Sequence, residues 1–333
     1  MALKVCHRVD PDEWQEIADG CDYATFYHTP AWSKIFADIY PNIKIAPKKF
    51  LFEDGTAAIF PMIEITLSIG FMTVSNYVSN AAYVYGGWIS KNEITHRQSQ
   101  AIINWLNAHC KNLFWLTNPF DASLSHFAFP GSEIVKEDFT QYLNLSPGYE
   151  ELWKRFSRTH RQDILQAQKK GVKCRAAQSL SDWREYYRVY QNSLQRWGNE
   201  VKFIYPFELF ENMFKANSHK IKLYLATVNE KIISGALVFK HNQHVAGWHG
   251  ATLKDYFSCH PWHFLINEIT KDACREGYRW FDLNPSGGHK GVVKNKKGFG
   301  TIQKSTHVFL KRSARYNVFE SLSGQLYKLK QHI

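Results

Sequence analysis

The sequence predicts an α+β protein made of two domains. Its 333 residues exceed the size of one ordinary hydrophobic core. Helix and strand patterns alternate along the whole chain, and the second half reads helix, three strands, helix, strand. We place the boundary where a new helix begins after Leu145, which predicts an N-terminal domain at 1–145 and a C-terminal domain at 146–333.

The first half mixes helices with short strands. The stretch EWQEIADG predicts a helix that ends at Gly20, and TPAWSKIFADIY predicts a second helix with Pro30 near its start. The stretch KKFLFEDGTAAIFPMIEITL predicts a hairpin that turns at Asp54 and Gly55. The remaining segments are a strand AYVYGGWIS, an amphipathic helix EITHRQSQAIINWLNAHC and a strand NLFWLT.

The second half opens with a long helix, YEELWKRFSRTHRQDILQAQKK. Ser146 is its predicted cap, Pro147 suits its first position, and Gly171 ends it. A further helix, SDWREYYRVYQNSLQRWG, ends near Gly198. The stretches IKLYLATV, KIISGALVFK and HVAGWHGAT predict an antiparallel meander. After it come a helix HPWHFLINEITKDACREG that begins near Pro261, a strand YRWFDLN and a last strand STHVFLK.

The composition is typical of a globular protein, with 44% hydrophobic and 15% aromatic residues. No apolar run approaches the roughly 18–20 residues that cross a bilayer, and the N-terminus has acids where a signal peptide needs an apolar core. We therefore expect a soluble, cytoplasmic protein. The six cysteines form no C-x-x-C pair, so the sequence predicts neither a disulfide framework nor a metal site.

The positive charge of the chain belongs to its second half. Up to Leu145 there are 10 lysines and arginines against 15 acidic residues, and from Ser146 onward there are 31 against 15. This asymmetry indicates an anionic partner, which could be a nucleotide, a nucleic acid or a membrane surface. A well-solvated lysine-rich surface is the alternative for any single lysine.

The most unusual stretch is FDLNPSGGHKGVVKNKKGFG at 281–300, which we predict to be a strand end followed by a flexible cationic loop. Its glycines let the backbone approach a ligand closely, and no acidic residue occurs between Lys290 and Tyr316. The sequence therefore predicts an anion site here. The residues that would form it are Gly288 and Gly291 with Lys290, Lys294, Lys296 and Lys297.

Two of these regions carry a resemblance to a known family. The stretches RTHRQDILQAQKKGV (158–172) and GYRWFDLNPSGGHKGVVKNKKGFG (277–300), with TPAWSKIF near the N-terminus, resemble motifs of the Fem family. That family contains the peptidoglycan-bridge aminoacyltransferases and their GNAT-like relatives, and the element order of the second half resembles a GNAT core. The resemblance implies two tandem GNAT-like domains and an acyltransferase that moves an acyl or aminoacyl group to an amine, with cell-wall or envelope metabolism as one setting.

This resemblance also implies a co-substrate, acyl-CoA or aminoacyl-tRNA, and no permanently bound cofactor. Lys296 matches a lysine of the family motif, so it would hold a donor phosphate or polarise the acyl carbonyl. Two features depart from the family. The family motif has an aromatic residue directly before this lysine, and this chain has Asn295 there. The sequence also contains no stretch that predicts the long helical-hairpin insertion of the bridge-forming members. Both departures put transfer from aminoacyl-tRNA onto a lipid-linked precursor in doubt.

Other residues complete the predicted site. Asp282, at a strand end, would orient or deprotonate the amine, or else cap the loop through backbone amides. His249, on the neighbouring strand, is a candidate general base or a structural histidine. On the long helix, Lys154, Arg158 and Arg161 make one basic stripe that would bind phosphate, or a solvated face.

The position that usually binds the pyrophosphate of coenzyme A in a GNAT domain is a glycine-rich turn before a helix. Here the corresponding stretch is DYFSCHPWHF (255–264), which has no glycine. Its Pro261 lacks an N–H group, so we predict a poor phosphate site and a helix capped by Ser258 or His260.

A non-catalytic nucleic-acid-binding protein is the alternative from another functional class, because the basic half carries many aromatic residues. Its basic residues are spread over several elements and match no known nucleic-acid-binding motif. We expect the acidic first half to be a degenerate domain without a site of its own. Contact of the basic half with an anionic membrane surface is a further expectation.

Overall fold

The computed structural model describes residues 3–124, 133–198, 203–216 and 218–330. Helices and strands alternate along the chain, so the predicted α+β class is confirmed. Among the described residues, no helix combines the length and the hydropathy that crossing a bilayer requires.

The elements before residue 125 are short strands and three helices. They are β1 (Leu3–Cys6), α1 (Pro11–Asp19), α2 (Pro30–Ala37), β2 (Ile43–Ile45), β3 (Lys48–Phe52), β4 (Ala57–Phe60), β5 (Ile63–Ile69), β6 (Met72–Val78), α3 (His96–His109) and β7 (Leu113–Leu116).

The elements of the second half include six strands and six helices between residues 133 and 297. They are β8 (Glu133–Asn144), α4 (Tyr149–Arg155), α5 (Arg158–Lys169), β9 (Lys173–Ala176), α6 (Leu180–Trp197), α7 (Phe207–Lys215), β10 (Ile221–Val228), β11 (Lys231–His241), β12 (His244–Thr252), α8 (Pro261–Arg275), β13 (Trp280–Pro285) and α9 (Lys290–Lys297). The chain continues through β14 (Ile302–Lys311) and α10 (Ala314–Lys330).

The chain divides into two compact units. The first contains Met1–Asp138 with Ser305–Ile333, and the second contains Phe139–Lys304. The last segment groups with the first unit because β14 pairs antiparallel with β7, from Val308 opposite Leu116 onward. The division at residues 145 and 146 that we drew from sequence places this segment in the second domain, so the two divisions differ there.

In the first unit, β1, β3 and β4 form a three-stranded sheet, and β2, β5, β6, β7 and β14 follow one another in a second sheet. The predicted hairpin turn is confirmed, with Gly55 at φ +83° and the Asp54 carboxylate accepting a hydrogen bond from the Thr56 amide. The predicted strand AYVYGGWIS is wrong. It contains a 3₁₀ turn and isolated bridges only, because Gly86 packs directly on the Ser79 carbonyl and Gly87 has a φ of +147°.

In the second unit, the strands lie in the order β8, β13, β12, β11, β10, β9. The predicted meander of β10, β11 and β12 is confirmed. Strand β13 pairs in parallel with β12 and antiparallel with β8. Side chains of α5 and α8, including Ile164, Ile266 and Ile269, pack with the strands in one buried apolar cluster, which stabilises the unit by removing apolar surface from water.

The long helix predicted from Tyr149 to Lys170 is wrong, because the chain breaks at Phe156 and Ser157. Phe156 is extended and buried, and the Ser157 hydroxyl caps α5 by accepting the His160 amide. Gly148, not Ser146, precedes α4. The break leaves Lys154 on a different helix from Arg158 and Arg161, so the predicted basic stripe does not exist as one helical face.

The flexible loop predicted after β13 is also wrong, because Lys290–Lys297 form the helix α9. The helix is held on its inner side. The Asn295 carbonyl bonds His160 Nε2 at 2.8 Å, the Val293 carbonyl accepts from Gln141 Nε2, and Phe299 is fully buried just beyond the helix. Packing against these groups outweighs the local preference of a lysine- and glycine-rich sequence.

Candidate functional site

The parallel strands β12 and β13 part soon after they meet. They pair over only three residues, from His244 opposite Trp280 to Ala246 opposite Asp282, although β12 continues to Thr252. At the point of parting, β12 contains a β-bulge at Trp248, since its neighbours Gly247 and His249 pair with successive residues of β11. The edge of β12 beyond Ala246 therefore has no strand partner on the β13 side within the described residues.

A cavity of about 450 Å³ opens where the two strands part. It is walled by β11, β12, β13, α8 and α9, and aromatic and aliphatic side chains make up most of its surface. Trp262 of α8 packs closely against Gly250, where a Cβ atom would fall 2.4 Å from the indole. The lining residues that the chemistry below uses are Gly247, Trp248, His249, Trp262, Asn284 and Lys296.

Lys296 is the lysine of α9 that reaches this cavity. Its Nζ donates a hydrogen bond of 2.7 Å to the Asn284 carbonyl, and the side chain is partly buried. Asn284 has a φ of +60° and donates from Nδ2 to the Gly247 carbonyl at 2.6 Å. The side-chain amide of Asn284 thus links β12 to the end of β13, while the backbone carbonyl of Asn284 positions the ammonium group of Lys296.

His249 also lines the cavity. Its Nδ1 lies 2.6 Å from the hydroxyl of Tyr186 on α6. Burial lowers the pKa of His249 to about 3 because a charged imidazolium loses its hydration there. The ring is therefore neutral at physiological pH and a weak base, which makes it a hydrogen-bonding group rather than the general base that we predicted as one of its roles.

Asp282 is not among the residues that line the cavity. It alternates along β13 with Phe281 and Leu283, which do line it. Its Oδ1 accepts hydrogen bonds from the Asn284 amide and from the Thr140 hydroxyl. Burial raises the pKa of Asp282 to about 7, and the hydrogen bond from the Asn284 backbone amide and the charge of Lys296 partly offset that rise. This placement favours the turn-capping role that we considered from sequence over proton transfer from the amine.

Three lysines of α9 lie on its exposed side. Lys290, Lys294 and Lys297 are spaced i, i+4 and i+7 and are all exposed, so they share one helical face. We call them the outer lysines of α9. Gly291 lines the cavity, whereas Gly288 lies in the preceding turn with a φ of +83°.

The two predicted arginines are placed differently. Arg158 is exposed at the start of α5. The guanidinium of Arg161 donates to the carbonyl of Lys154 at 2.9 Å and so caps the end of α4. Part of the Arg161 guanidinium is therefore already hydrogen-bonded to the backbone, which makes Arg161 a weaker phosphate ligand than the sequence predicted.

Sequence reasoning missed Asn284, Trp248, Trp262 and Tyr186. The signal for Asn284 was its place directly after a buried strand, where an asparagine tolerates positive φ. Trp248 stands in a glycine-flanked strand, which is a pattern typical of a bulge. Nothing in the local sequence indicates that Tyr186 contacts His249, because the two residues lie on separate elements.

The start of α8 carries its own polar groups. Pro261 is the first helical residue, and His260 precedes it with a φ of +50° and no side-chain capping bond, so the predicted histidine cap is wrong. The carboxylate of Asp163 lies 3.5 Å from His260 Nδ1 and 3.8 Å from His263 Nε2. A negative charge beside this turn opposes binding of a phosphate there.

Residues 154–290 match the family model described as acetyltransferase (GNAT) domain. No curated protein matches the chain significantly. Among solved structures, FemX is similar with 12% identity and a TM-score of 0.69, covering 92% of this chain and 97% of that one. L-PGS from Bacillus licheniformis is similar with 11% identity and a TM-score of 0.54, covering 95% and 96%. A tandem GNAT protein from the clavulanic acid biosynthesis pathway is similar with 9% identity and a TM-score of 0.50, covering 93% and 98%.

Proposed function

We propose that this chain, an acyltransferase with a GNAT domain at residues 154–290, binds a phosphate-containing acyl donor between β12 and β13 and transfers its acyl or aminoacyl group to an amine. The observation that carries the proposal is the parting of these two strands beside Lys296. GNAT domains use acyl-CoA as co-substrate, and aminoacyl-tRNA is the second donor that the Fem resemblance supports.

The open edge of β12 suits an extended donor that carries amide groups. Strand β12 continues to Thr252 beyond its three-residue ladder with β13, and a strand edge of this kind binds extended chains by adding a strand. The amides of an acyl-pantetheine arm or the amino-acid moiety of an aminoacyl ester provide matching groups. Trp248 and Trp262 supply apolar surface for the acyl part.

In our proposal, two polar groups stabilise the reacting carbonyl. Lys296 brings a positive charge into a partly buried cavity, where it acts more strongly than in water. In our proposal the Tyr186 hydroxyl donates to His249 Nδ1, so that the neutral ring carries its proton on Nε2. That N–H then donates to the oxygen that becomes negative when the amine attacks, as neutral histidines do in other enzymes.

The transfer itself needs no covalent enzyme intermediate. The amine nitrogen bonds to the carbonyl carbon, and the bond from that carbon to the sulfur or oxygen of the carrier breaks. The amine enters unprotonated, and the proton that it loses on forming the amide passes to the departing thiolate or alkoxide or to solvent. His249 is not suited to serve as the base near neutral pH, since its pKa lies at about 3.

The phosphates of the donor would lie on the outer lysines of α9. These lysines are exposed, whereas Lys296 of the same helix lines the cavity. The helix can therefore bind the anionic carrier on one side and polarise the acyl group on the other. The Fem resemblance supports a peptidoglycan or other envelope amine as acceptor, and the positive second half supports contact with an anionic membrane surface.

A donor panel tests the proposal. Acyl-CoAs and aminoacyl-tRNAs are added to the full chain, the melting temperature is followed, and products with a set of amines are identified by mass spectrometry. We expect one donor class to raise the melting temperature and to yield an amide product. A tRNA donor would lose affinity steeply with salt, and a CoA ester would do so only weakly. Salt-sensitive nucleic-acid binding with no amide product would instead favour a non-catalytic binding protein.

A further inference from the structure

A second cluster of polar side chains lies on α5 and α8 of the same unit, outside the cavity lining. The sequence places a histidine and an aspartate one turn apart on α5, in H-x-x-D at His160 and Asp163. It places two histidines three residues apart at the start of α8, in H-x-x-H at His260 and His263. Side chains with this spacing lie on the same face of a helix, and the two helices pack against each other.

The packing brings three of these side chains together. His160, Asp163 and His263 each offer one ligand atom, and these atoms lie within 4.8 Å of one another. The rings of His160 and His263 meet edge to face with their centroids 4.5 Å apart. His263 Nε2 lies 3.8 Å from Asp163 Oδ2, and His260 Nδ1 lies 3.5 Å from the other oxygen of the same carboxylate.

His160 is held in the tautomer that a metal ligand requires. Its Nε2 lies 2.8 Å from the Asn295 carbonyl, and because a carbonyl only accepts, Nε2 must carry the proton. In the neutral ring Nδ1 then holds a lone pair. That atom is buried and has no hydrogen-bond partner. A histidine that donates one N–H to a backbone carbonyl while its other nitrogen is open is the usual arrangement around a bound metal ion.

The packing around His160 also fixes the position of its ring. The ring of His160 lies against Gly298, where any Cβ would clash with it at 2.2 Å, so the backbone leaves room for this ring and fixes its position.

We infer that His160, Asp163 and His263 form a binding site for a divalent transition-metal ion, of which zinc is the representative. Two imidazoles and one carboxylate suit this class of ion, and His260 Nδ1 lies 3.5 Å from the same carboxylate. Ligands of one zinc ion lie about 3.3 Å apart when each is at about 2.0–2.1 Å from the metal. The ligand atoms, which lie within 4.8 Å of one another, would therefore close by up to about 1.5 Å on binding. His263 Nε2, now 3.0 Å from Asn295 Nδ2, would exchange that contact for the metal.

The site would link three elements of the second unit. The metal would join α5 to α8 directly, and through the His160 contact with Asn295 it would also hold α9, the helix that carries Lys296. The inference is independent of the proposed acyl transfer. From the sequence we predicted no metal site, because the cysteines lack metal-ligand spacing. The two histidine motifs gave no signal either, because they lie about 100 residues apart.

Metal binding by the full chain tests the inference without any activity assay. The protein is stripped with a chelator, and Zn²⁺ and Co²⁺ are added separately. We expect one tightly bound ion per chain, a rise in melting temperature with Zn²⁺, and with Co²⁺ the intense visible absorption of a low-coordinate site. Asp163→Asn and His263→Gln should each weaken Zn²⁺ binding at least about tenfold, whereas His219→Gln, at an exposed histidine, should leave it unchanged.

Circular dichroism of each variant checks that the fold is retained. Two results would overturn the inference. One is the absence of Zn²⁺ binding at micromolar concentration by the stripped, folded protein. The other is binding that Asp163→Asn and His263→Gln leave unchanged, since the ion would then sit on other histidines of the surface.

Discussion

The second unit contains two turns that lead into helices near the cavity walls, and they differ in what they offer an anion. The turn before α8 begins its helix with Pro261, which has no N–H group, and has the Asp163 carboxylate beside it. The turn before α9 leads into a helix with one lysine in the cavity and three outside. We therefore expect an anion to bind near α9 and not at the start of α8, because lysines favour a phosphate and a nearby carboxylate opposes it.

The two faces of α9 are likewise different. Lys296 is partly buried and bonded to the Asn284 carbonyl, so its ammonium group has a defined position. The outer lysines are exposed, and exposed charges act over a distance that salt screens. We therefore expect the inner lysine to affect turnover and the outer lysines to affect donor affinity.

Removing the inner charge should have the largest effect. For Lys296→Ala we expect kcat/KM for acyl transfer to fall at least about tenfold, or about 1.4 kcal/mol of barrier, because the carbonyl loses its cation. Steady-state kinetics with the donor found in the panel measure this. Lys169→Ala, an exposed lysine of α5, is the matched control. Unchanged kinetics in the folded Lys296→Ala variant would show that Lys296 has no catalytic role.

Removing the outer charges should weaken donor binding while leaving turnover nearly intact. We expect the triple variant Lys290→Gln, Lys294→Gln, Lys297→Gln to raise the donor KM by about tenfold at low salt. The difference should shrink as salt rises, since each lost phosphate contact lowers the salt dependence. KM measured over a salt series gives both quantities. A triple variant with wild-type KM at low salt would place the phosphates elsewhere.

His249 should have an intermediate effect. We expect His249→Gln to lower kcat about three- to tenfold, the size of one hydrogen bond to the reacting oxygen. Because the pKa of His249 is about 3, the ring stays neutral between pH 5 and 8. The pH profiles of wild type and variant should therefore run parallel in that range. A wild-type limb near pH 6 that the variant lacks would show that His249 titrates as a base.

Asp282 should affect stability more than turnover. Its folded pKa is about 7, raised from 3.8, so the folded state keeps its proton over a range where the unfolded state has lost it. The free energy of unfolding of the wild type therefore falls as pH rises through that range.

Asp282→Asn removes this loss, because an amide does not titrate. We expect the variant to gain about 1–3 kcal/mol relative to wild type between pH 5 and pH 8, with kcat within roughly twofold of wild type. Urea unfolding at both pH values and steady-state kinetics provide the test. A loss of turnover of tenfold or more, with no change in stability, would make Asp282 the base after all.

The smallest effect should come from the other turn. Lys170 donates to the Ser258 carbonyl at 2.6 Å. It is a cation near the start of α8 that can be compared with the outer lysines of α9. We expect Lys170→Gln to change the donor KM by less than about twofold, as exposed substitutions usually do. A KM increase equal to that of the triple variant would show that the donor phosphates bind at the start of α8 and not on α9.

Much of the fold follows from local sequence, because hydrophobic periodicity and caps determine it. The meander of β10, β11 and β12, the helix from Pro261 and the turn at Asp54 and Gly55 are all predicted correctly. The break at Phe156 and the helix α9 were not predicted. Both depend on contacts between distant segments, such as His160 with Asn295.

The candidate site was only partly predictable for the same reason. The motif match identified Lys296, which lines the cavity, because a motif carries information from other sequences. The face on which Asp282 lies depends on the register of β13, and the tie from Asn284 to Gly247 depends on where β12 and β13 part. Neither feature has a local signature in the chain.

We place the donor in the space between β12 and β13, and hydrogen–deuterium exchange with an unreactive donor analogue would locate its binding site. The measurement compares amide exchange in the full chain with and without the analogue, at a concentration that saturates the thermal shift. We predict protection in residues 247–250 and in Lys290–Lys297, with little change in residues 255–264. Protection confined to residues 255–264, with none in the other two segments, would contradict this placement of the donor.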